Sequence, residues 1–277
     1  MDLNLSTWTL VVAANNESVL TNTLLKSPDV DADCQVLIKR GFTTSGAAYN
    51  RGLAEANSEI IVFAHQDVYF PDQWKDNLNR SLQWLAAKDP EWGVLGVFGV
   101  ALRSKREYIG HCYSTGLQRV VGFPFTIPVC AQALDELVLI VRRSSGLRFD
   151  EKLPGFHLYG TDICIQAYTN GMKCYIVPAF CVHNSNGLQY LPWAYWRAYF
   201  YMRKKWWKFL PIQTCCSLLS RSLKPVIVQV ISDAKQWIFR HRTVGIRCED
   251  VANRYKELAI AGVVQDTSPV APKSVTK

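Results

Sequence analysis

The chain has 277 residues, of which 49% are hydrophobic and 19% charged, and this ordinary composition excludes extensive disorder. Its 31 Lys and Arg against 23 Asp and Glu give a formal net charge of +8, which favours polyanionic partners without choosing between phosphate, nucleic acid and anionic lipid. The 9 cysteines are odd in number and form no C-x-x-C pair, so we expect neither a complete disulfide framework nor a zinc ribbon.

The N-terminal part of the chain predicts alternating strands and helices. Continuous apolar runs predict buried strands at residues 9–14, 35–38 and 60–64. Helical spacing predicts helices over residues 47–56 and 74–87. Strands that alternate with helices are typical of βαβ units, so we expect an α/β fold with a mainly parallel sheet flanked by helices.

The central part predicts further strands around an irregular insertion. The apolar runs favour a strand or strand pair at 92–102 and strands at 137–142 and 174–178. Residues 103–128 contain several Gly and Pro and predict an irregular insertion. A helix over 162–170 is predicted to end at Gly171, because glycine tolerates the left-handed conformation that follows a helix.

The C-terminal part changes character at residue 193, where aromatic residues begin to alternate with Arg and Lys. A helix is expected at 225–239. We therefore divide the chain into a domain at 1–192, an aromatic and basic helical extension at 193–266 and a flexible tail at 267–277.

Two potential metal ligands follow the third predicted strand. His65 and Asp67 point to the same side because side chains alternate along a strand, while Gln66 points to the other side. A divalent cation at the carboxyl end of a strand in an α/β sheet lies where a nucleotide diphosphate can bind. The alternative is a strand that simply ends in polar residues.

Five segments, in this order, resemble those of a family 2-type glycosyltransferase with the GT-A fold, nearest the branch named after a streptomycin-biosynthesis protein. They are residues 12–17 (VAANNE), 45–53 (SGAAYNRGL), 64–67 (AHQD), 149–151 (FDE) and 160–162 (GTD). The resemblance spans roughly residues 8–190. It implies an enzyme with a Rossmann-like, mainly parallel sheet and a nucleotide diphosphate sugar as its donor substrate.

The resemblance also implies a divalent cation, Mn²⁺ or Mg²⁺, held by a D-x-D-like motif. His65-Gln66-Asp67 occupies that position, and the imidazole favours Mn²⁺ over Mg²⁺. In relatives a later histidine completes the metal shell, and His183 stands at that place. The alternative for His183 is a surface or packing histidine.

Asp162 is the catalytic base that the resemblance implies. A sugar hydroxyl is a poor nucleophile near neutral pH, so a base within hydrogen-bonding reach accelerates its attack. Direct attack by the deprotonated hydroxyl would invert the anomeric centre. The alternative is that Asp162 caps the N-terminus of the helix that follows it.

The remaining donor-binding positions come from the same comparison with the family. They are Ala13, Asn16 and Glu17 after the first strand, Lys39 after the second, Gly46 and Asn50 on the next helix, and Asp67. Lys39 could contact phosphate. The alternatives are that Gly46 relaxes a loop and that Asn50 faces water.

The acceptor is expected to be a glycan or another hydroxyl compound. Asp135, Glu136 and His157 are candidates for contacting it, although a solvated loop is the preferred explanation for the two acids. The default interpretation of residues 193–210 is that they cover the sheet with their apolar stems, and peripheral contact with a membrane is the alternative. No nucleic-acid motif accompanies the basic residues, so no nucleic acid is expected.

The sequence therefore predicts a metal-dependent inverting glycosyltransferase, with a role in cell-surface polysaccharide synthesis. We expect a cytoplasmic protein, peripheral at the inner face of the membrane, because the cysteine pattern suits a reducing compartment and residues 1–7 do not form a secretory leader. A catalytically inactive sugar-nucleotide-binding or scaffold protein and a nucleotidyltransferase are the alternatives.

Overall fold

The computed structural model describes residues 7–102, 107–187, 190–239 and 245–264. Its strands are β1 Trp8–Ala14, β2 Cys34–Arg40, β3 Ile60–His65, β4 Val68–Tyr69, β5 Val94–Gly96, β6 Phe98–Ala101, β7 Tyr108–Ser114, β8 Arg119–Gly122, β9 Val129–Leu134, β10 Val138–Arg142, β11 Cys174–Ile176, β12 Cys181–His183, β13 Ile212–Gln213 and β14 Leu218–Leu219. Its helices are α1 Glu17–Asn22, α2 Ser45–Glu55, α3 Trp74–Lys88, α4 Tyr159–Thr169, α5 Trp193–Lys205, α6 Lys224–Phe239 and α7 Val251–Ile260, with 3-10 turns at Leu24–Lys26, Arg143–Ser145 and Trp207–Phe209.

The molecule is a mixed α/β structure built on one large sheet. Within the described residues the sheet has 12 strands in the order β2-β1-β3-β10-β5-β11-β9-β6-β7-β12-β4, and β8 pairs with β7 outside this path. The first three strands along the chain pair in parallel, with β1 between β2 and β3. The α/β prediction and the predicted βαβ start are therefore confirmed.

Beyond β3 the sheet is mixed and not mainly parallel, since only β5–β11 and β7–β12 pair in parallel there among the described strands. The pairs β3–β10, β10–β5, β11–β9, β9–β6, β6–β7, β7–β8 and β12–β4 are all antiparallel. The links from β6 through β7 to β8 are too short to hold a crossover helix, and short links favour antiparallel pairing. The predicted irregular insertion at 103–128 contains β7 and β8.

Helices cover both faces of the sheet because the side chains of its strands alternate. Leu10 of β1 and Val62 of β3 pack on one face with α1 and α3. Val11 and Phe63 pack on the other face with α2, α4 and α5. On α3, the predicted apolar positions Leu78, Leu82 and Leu85 are all fully buried.

The inner side of α5 belongs to the core of the sheet. Tyr195, Tyr199 and Met202 are buried and pack in the same cluster as α2 and α4. Packing therefore accounts for this side of the 193–210 segment. The boundaries drawn at 192 and 266 stay predictions, and the predicted tail at 267–277 lies outside the described residues.

Across the ranges that the structure describes, helices are too short or too polar to cross a membrane.

Candidate metal and nucleotide site

A cleft opens at the carboxyl ends of β1 and β3. The two strands are parallel and in register, with Ala13 opposite His65, so the residues that follow them meet at one edge of the sheet. The cleft has a volume of about 380 Å³. It is lined by Ala13, Ala14, Asn15, Lys39, Gly41, Phe42, Tyr49, His65, Gln66, Asp67 and Phe156.

Three potential metal ligands converge at one wall of this cleft. One ligand atom from each of His65, Asp67 and His183 lies within 4.8 Å of the others. His183 comes from a distant part of the chain: β12 pairs with β4 so that His183 stands opposite Val68. The backbone N–H of Asn184 donates to the carbonyl of Asp67 over 2.8 Å and fixes this approach.

The neighbours of His65 determine the protonation and the tautomer of its ring. Burial lowers the pKa of His65, an effect that Asp67 opposes, so the ring is neutral at neutral pH. Its Nε2 lies 3.0 Å from the hydroxyl of Tyr159, which itself donates to the carbonyl of Glu136. Because the single proton of Tyr159 is used there, Nε2 of His65 must donate, and the lone pair stays on Nδ1.

Asp67 remains ionised although it is largely buried. Burial raises its pKa, but His183, His65 and Arg247 together outweigh that effect and hold the pKa below its ordinary value. Oδ1 of Asp67 lies 3.6 Å from Nε2 of His183, and Oδ2 accepts from the guanidinium of Arg247 over 3.2 Å. Arg247 was not among the predicted site residues, since only tertiary packing brings it here from far along the chain.

Two imidazoles and one carboxylate form a donor set that suits Mn²⁺ better than Mg²⁺. Such a set leaves coordination positions for water and for phosphate oxygens. His65, Asp67 and His183 are therefore the residues that could hold a divalent cation at the edge of the cleft.

The predicted residues after the first strand are placed differently from one another. Ala13 lines the cleft, whereas the side chain of Asn16 caps α1 by accepting from the N–H of Val19. Glu17 is exposed and forms an ion pair with Arg40. The structure does not bring Asn16 or Glu17 into the described lining of the cleft.

Lys39 reaches the cleft but already has a partner. It is buried, lines the cleft and forms a salt bridge with Glu55 of α2. A phosphate would therefore have to compete with Glu55 for the ammonium group.

Gly46 and Asn50 pack α2 against the loop that contains Phe149. The side-chain amide of Asn50 accepts from the N–H of Phe149 and donates to its carbonyl, both over 2.9 Å. A Cβ at Gly46 would lie 2.3 Å from the carbonyl oxygen of Asp150. The two alternatives are therefore wrong: Asn50 does not face water, and Gly46 lies inside α2 in close contact with the neighbouring backbone.

Asp162 is buried beside α5 and is not among the described residues that line the cleft. Its carboxylate accepts from Nζ of Lys205, Nε1 of Trp206 and Nε2 of Gln166, each over 2.7 Å. Burial raises its pKa, and these donors only partly offset that effect. The N-cap alternative is wrong, because Leu158 adopts a left-handed conformation and α4 begins at Tyr159.

A second cavity meets the cluster of His65, Asp67 and His183 at His183. His183 and Asp135 both line it, and its volume is about 470 Å³. Most of its other lining is apolar: Phe98, Tyr108, Cys112, Ser114, Leu117, Val121, Gly122, Leu137 and Cys215. His183 therefore belongs both to this cavity and to the cluster whose other two members, His65 and Asp67, line the cleft.

The acids before β10 do not form a solvated loop. Asp135 and Glu136 are both partly buried. Burial raises the pKa of Glu136 to about 8, and the charge of Asp135 adds to this effect. Backbone N–H groups at the start of α4 lower the pKa but do not outweigh the burial. His157, the other acceptor candidate, packs edge-on against Tyr195 with ring centroids 5.7 Å apart. The burial of Glu136 could not be predicted from the sequence, because it depends on how α4 is placed.

No protein-family model matches the chain. A curated relative from Fuscovulum blasticum, named "ATP synthase subunits region ORF 6", is 28% identical over 132 residues, which are 45% of this chain and 51% of the relative. The chain thus spans about half the length of that relative.

Several solved structures share a similar arrangement of elements at low sequence identity. PcManGT, a mannosyltransferase from Pyrobaculum calidifontis determined with GDP-Man and Mn²⁺, aligns over 94% of this chain and 81% of its own, with 13% identity and a TM-score of 0.48. GalNAc-T7, determined with UDP, GalNAc and Mn²⁺, aligns over 86% and 57%, with 13% identity and a TM-score of 0.43. TarS of S. aureus aligns over 64% and 57%, with 15% identity and a TM-score of 0.34.

Proposed function

We propose that the protein is a metal-dependent glycosyltransferase of the GT-A type that moves a sugar from a nucleotide diphosphate to a hydroxyl acceptor. The observation that supports this most is the convergence of His65, Asp67 and His183 beside the cleft between β1 and β3. A cation held there would lie where an α/β sheet binds nucleotides.

The cation, when bound, would neutralise the charge that grows on the departing nucleoside diphosphate. The chain's own residues would prepare this step. Asp67 supplies the negative charge, and Tyr159 holds the ring of His65. Arg247, which pairs with Asp67 in the structure, would supply a guanidinium beside the site that can bind a phosphate oxygen of the donor.

The acceptor would enter the second cavity, which meets the cluster of His65, Asp67 and His183 at His183, while the donor would bind in the cleft. This arrangement suits direct attack and inversion. Asp162 is the base that the family resemblance implies, but its three hydrogen-bond donors leave it poorly placed to take a proton. We propose Asp135 as the base, because it lines the acceptor cavity together with His183.

A thermal-shift screen of uridine and guanosine diphosphate sugars, with and without Mn²⁺, tests the proposal. A donor that binds only the folded protein raises its melting temperature, by about 5 °C at roughly 100 times its Kd. We expect a Mn²⁺-dependent rise with at least one donor, lost in Asp67→Ala and kept in Asp72→Ala, the same substitution at an exposed site nearby.

The products of the same incubations separate the three functions. Release of a nucleoside diphosphate supports the transferase. A Mn²⁺-dependent shift without any turnover supports an inactive sugar-nucleotide-binding protein, and release of pyrophosphate supports a nucleotidyltransferase. The absence of a shift with every donor would overturn the proposed site.

A further inference from the structure

The outer side of α5 presents a stripe of aromatic and basic side chains that the proposed reaction does not use. Trp193, Arg197, Phe200 and Lys204 recur with the spacing i, i+4, i+7 and i+11, so they share one side of the helix. All four are exposed, Trp193 by 74% and Phe200 by 44%. This side of α5 faces away from the core, in which Tyr195, Tyr199 and Met202 of the same helix are buried.

The stripe continues into the 3-10 turn that follows α5. Trp207 and Phe209 are 45% and 53% exposed. The guanidinium of Arg203 lies 4.8 Å from the ring centroid of Trp207, and Arg221 donates to the carbonyl of Trp207 over 3.2 Å. Aromatic rings and cations thus alternate along the path that leads from α5 towards α6.

Helix α6 exposes still more apolar surface. None of its described side chains is buried, and Val228, Ile231 and Ile238 are 59%, 50% and 62% exposed. Lys224 and Lys235 lie on the same side as these three residues, because positions 224, 228, 231, 235 and 238 recur with helical spacing. An exposed apolar helix face of this kind is typical of a surface that contacts a membrane or another protein.

The two helices lie next to each other. Trp196 of α5 and Val230 of α6 line one shallow cavity, and Asp233 of α6 accepts from the N–H of Leu191, just before α5. Because α5 and α6 are neighbours, their exposed sides belong to one region. We call this region, together with the exposed side of the turn Trp207–Phe209, the C-terminal apolar surface.

We propose that the C-terminal apolar surface binds an anionic phospholipid bilayer. The helices would lie in the plane of the interface, with Trp193, Val228 and Ile231 among the acyl chains near the headgroups. Trp suits this depth because its ring is amphipathic. The long stems of Lys224 and Lys235 would let their ammonium groups reach the lipid phosphates.

The charge of the region favours lipid over a second copy of the chain. Between residues 193 and 239 the basic side chains are Arg197, Arg203, Lys204, Lys205, Lys208, Arg221, Lys224 and Lys235. Asp233 is the one acid in this stretch, and it already accepts from Gln229 and Leu191. Lys205 already pairs with Asp150 and Asp162. A two-fold interface would place the other cations against each other with no acid of this stretch left to pair them, whereas anionic lipid complements them.

Vesicle co-sedimentation of the full chain tests the proposal. We expect binding to phosphatidylcholine vesicles that contain phosphatidylglycerol, weaker binding to phosphatidylcholine alone, and loss of the difference at high salt. The double variant V228S/I231S should lower the partition coefficient about tenfold or more, because it removes apolar groups from the interface. K224Q/K235Q should reduce mainly the preference for phosphatidylglycerol.

Ile260→Ser is the matched control, because Ile260 on α7 is 88% exposed and lies outside the C-terminal apolar surface. It should bind vesicles as the unmodified chain does. Asp67→Ala should also bind normally, so failure of the transferase proposal would leave this result intact. Equal binding by V228S/I231S, or no binding to either vesicle, would overturn the proposal. The proposal would also be overturned if the chain formed a concentration-dependent dimer that V228S/I231S abolishes. The C-terminal apolar surface would then bind a second copy of the chain.

Discussion

The hydroxyl of Tyr159 determines which nitrogen of His65 can bind a metal. It donates its proton to the carbonyl of Glu136, so it can only accept from the imidazole. The hydroxyl of Tyr49 lies 3.3 Å away and can fill its remaining acceptor position. A partner of this kind fixes both the tautomer and the orientation of a ligating histidine.

Tyr159→Phe should therefore weaken Mn²⁺ binding about tenfold without removing a ligand. The remaining His65 ring can rotate and can adopt the other tautomer. Isothermal titration with Mn²⁺ measures the change. Tyr168→Phe is the control, because it removes a hydroxyl that donates to the carbonyl of Ala131, away from the cluster. Equal losses in both variants would point to general destabilisation.

Glu136 should make the stability of the protein depend on pH. Its folded-state pKa is raised to about 8 from 4.5, chiefly by burial. Below the unfolded pKa the carboxyl is protonated in both states and costs nothing. As the pH rises towards 8, the unfolded chain gains the favourable ionised form while the folded protein does not, so stability falls.

Glu136→Gln should remove most of this fall. We expect the difference in unfolding free energy between pH 5 and pH 8 to shrink by about 3 kcal/mol relative to the unmodified protein. Urea titrations at the two pH values measure it. Glu249→Gln, at an exposed position, should leave the pH dependence as it is. An unchanged slope in Glu136→Gln would contradict the raised pKa.

Asn50 holds α2 to the loop that follows β10. Its amide satisfies both backbone groups of Phe149 and also donates to Glu151 over 3.0 Å. Phe149 packs against Tyr49 and Phe63 with ring centroids 5.2 and 4.9 Å away, so this link supports the core beneath the cleft.

Asn50→Ala should lower the unfolding free energy by about 2 kcal/mol, because it leaves backbone groups of Phe149 without partners. Chemical denaturation measures the loss. Asn22→Ala, at an exposed site near the end of α1, should change stability far less. A loss of similar size in both variants would show that the hydrogen bonds to Phe149 do not contribute to the unfolding free energy.

The elements that the sequence predicted best are those with local signals. β1, β2 and β3 are continuous apolar runs, and their parallel pairing follows from the helices between them. The antiparallel strands were missed because their partners are set by contacts distant in the chain: β9, for example, pairs with β11 and β6.

The end of α4 at Gly171 was predicted from glycine's conformational freedom, with φ +79° in the structure. Its start was predicted three residues late, because no sequence signal marks Leu158.

The candidate site shows the same division. His65 ends β3 and Asp67 lies in the turn before β4, so their closeness along the chain, and not the predicted strand alternation, brings them together. His183 joins them at the place that the family resemblance implied. Tyr159 and Arg247 were not predicted, because each reaches the cluster through long-range packing. The sequence also could not show that Lys39 pairs with Glu55 or that Asp162 is covered by α5.

At the scale of the whole molecule, Asp162 connects α4 to the end of α5. Lys205 forms salt bridges with both Asp162 and Asp150, over 2.7 and 2.6 Å. Asp162 is 1% exposed, so removal of its charge leaves Lys205 with one partner and the indole of Trp206 with a weaker acceptor. A buried pair broken in this way costs several kcal/mol. The position suits a residue that fixes α5 against the sheet.

Asp135 and Asp162 can therefore be separated by paired measurements of rate and stability. Asp135→Asn should lower kcat about 100-fold or more with little loss of stability, because it removes the proposed base from the acceptor cavity. Asp162→Asn should lower the unfolding free energy by about 3 kcal/mol while the folded protein keeps most of its kcat. Turnover at saturating donor, below the melting temperature of each variant, and urea titrations provide the two quantities. The opposite result would be an Asp162→Asn variant that loses turnover but keeps the stability of the unmodified protein, together with an Asp135→Asn variant that keeps its turnover. Asp162 would then be the base, and the acceptor would lose its proton on the side of the site that faces α5.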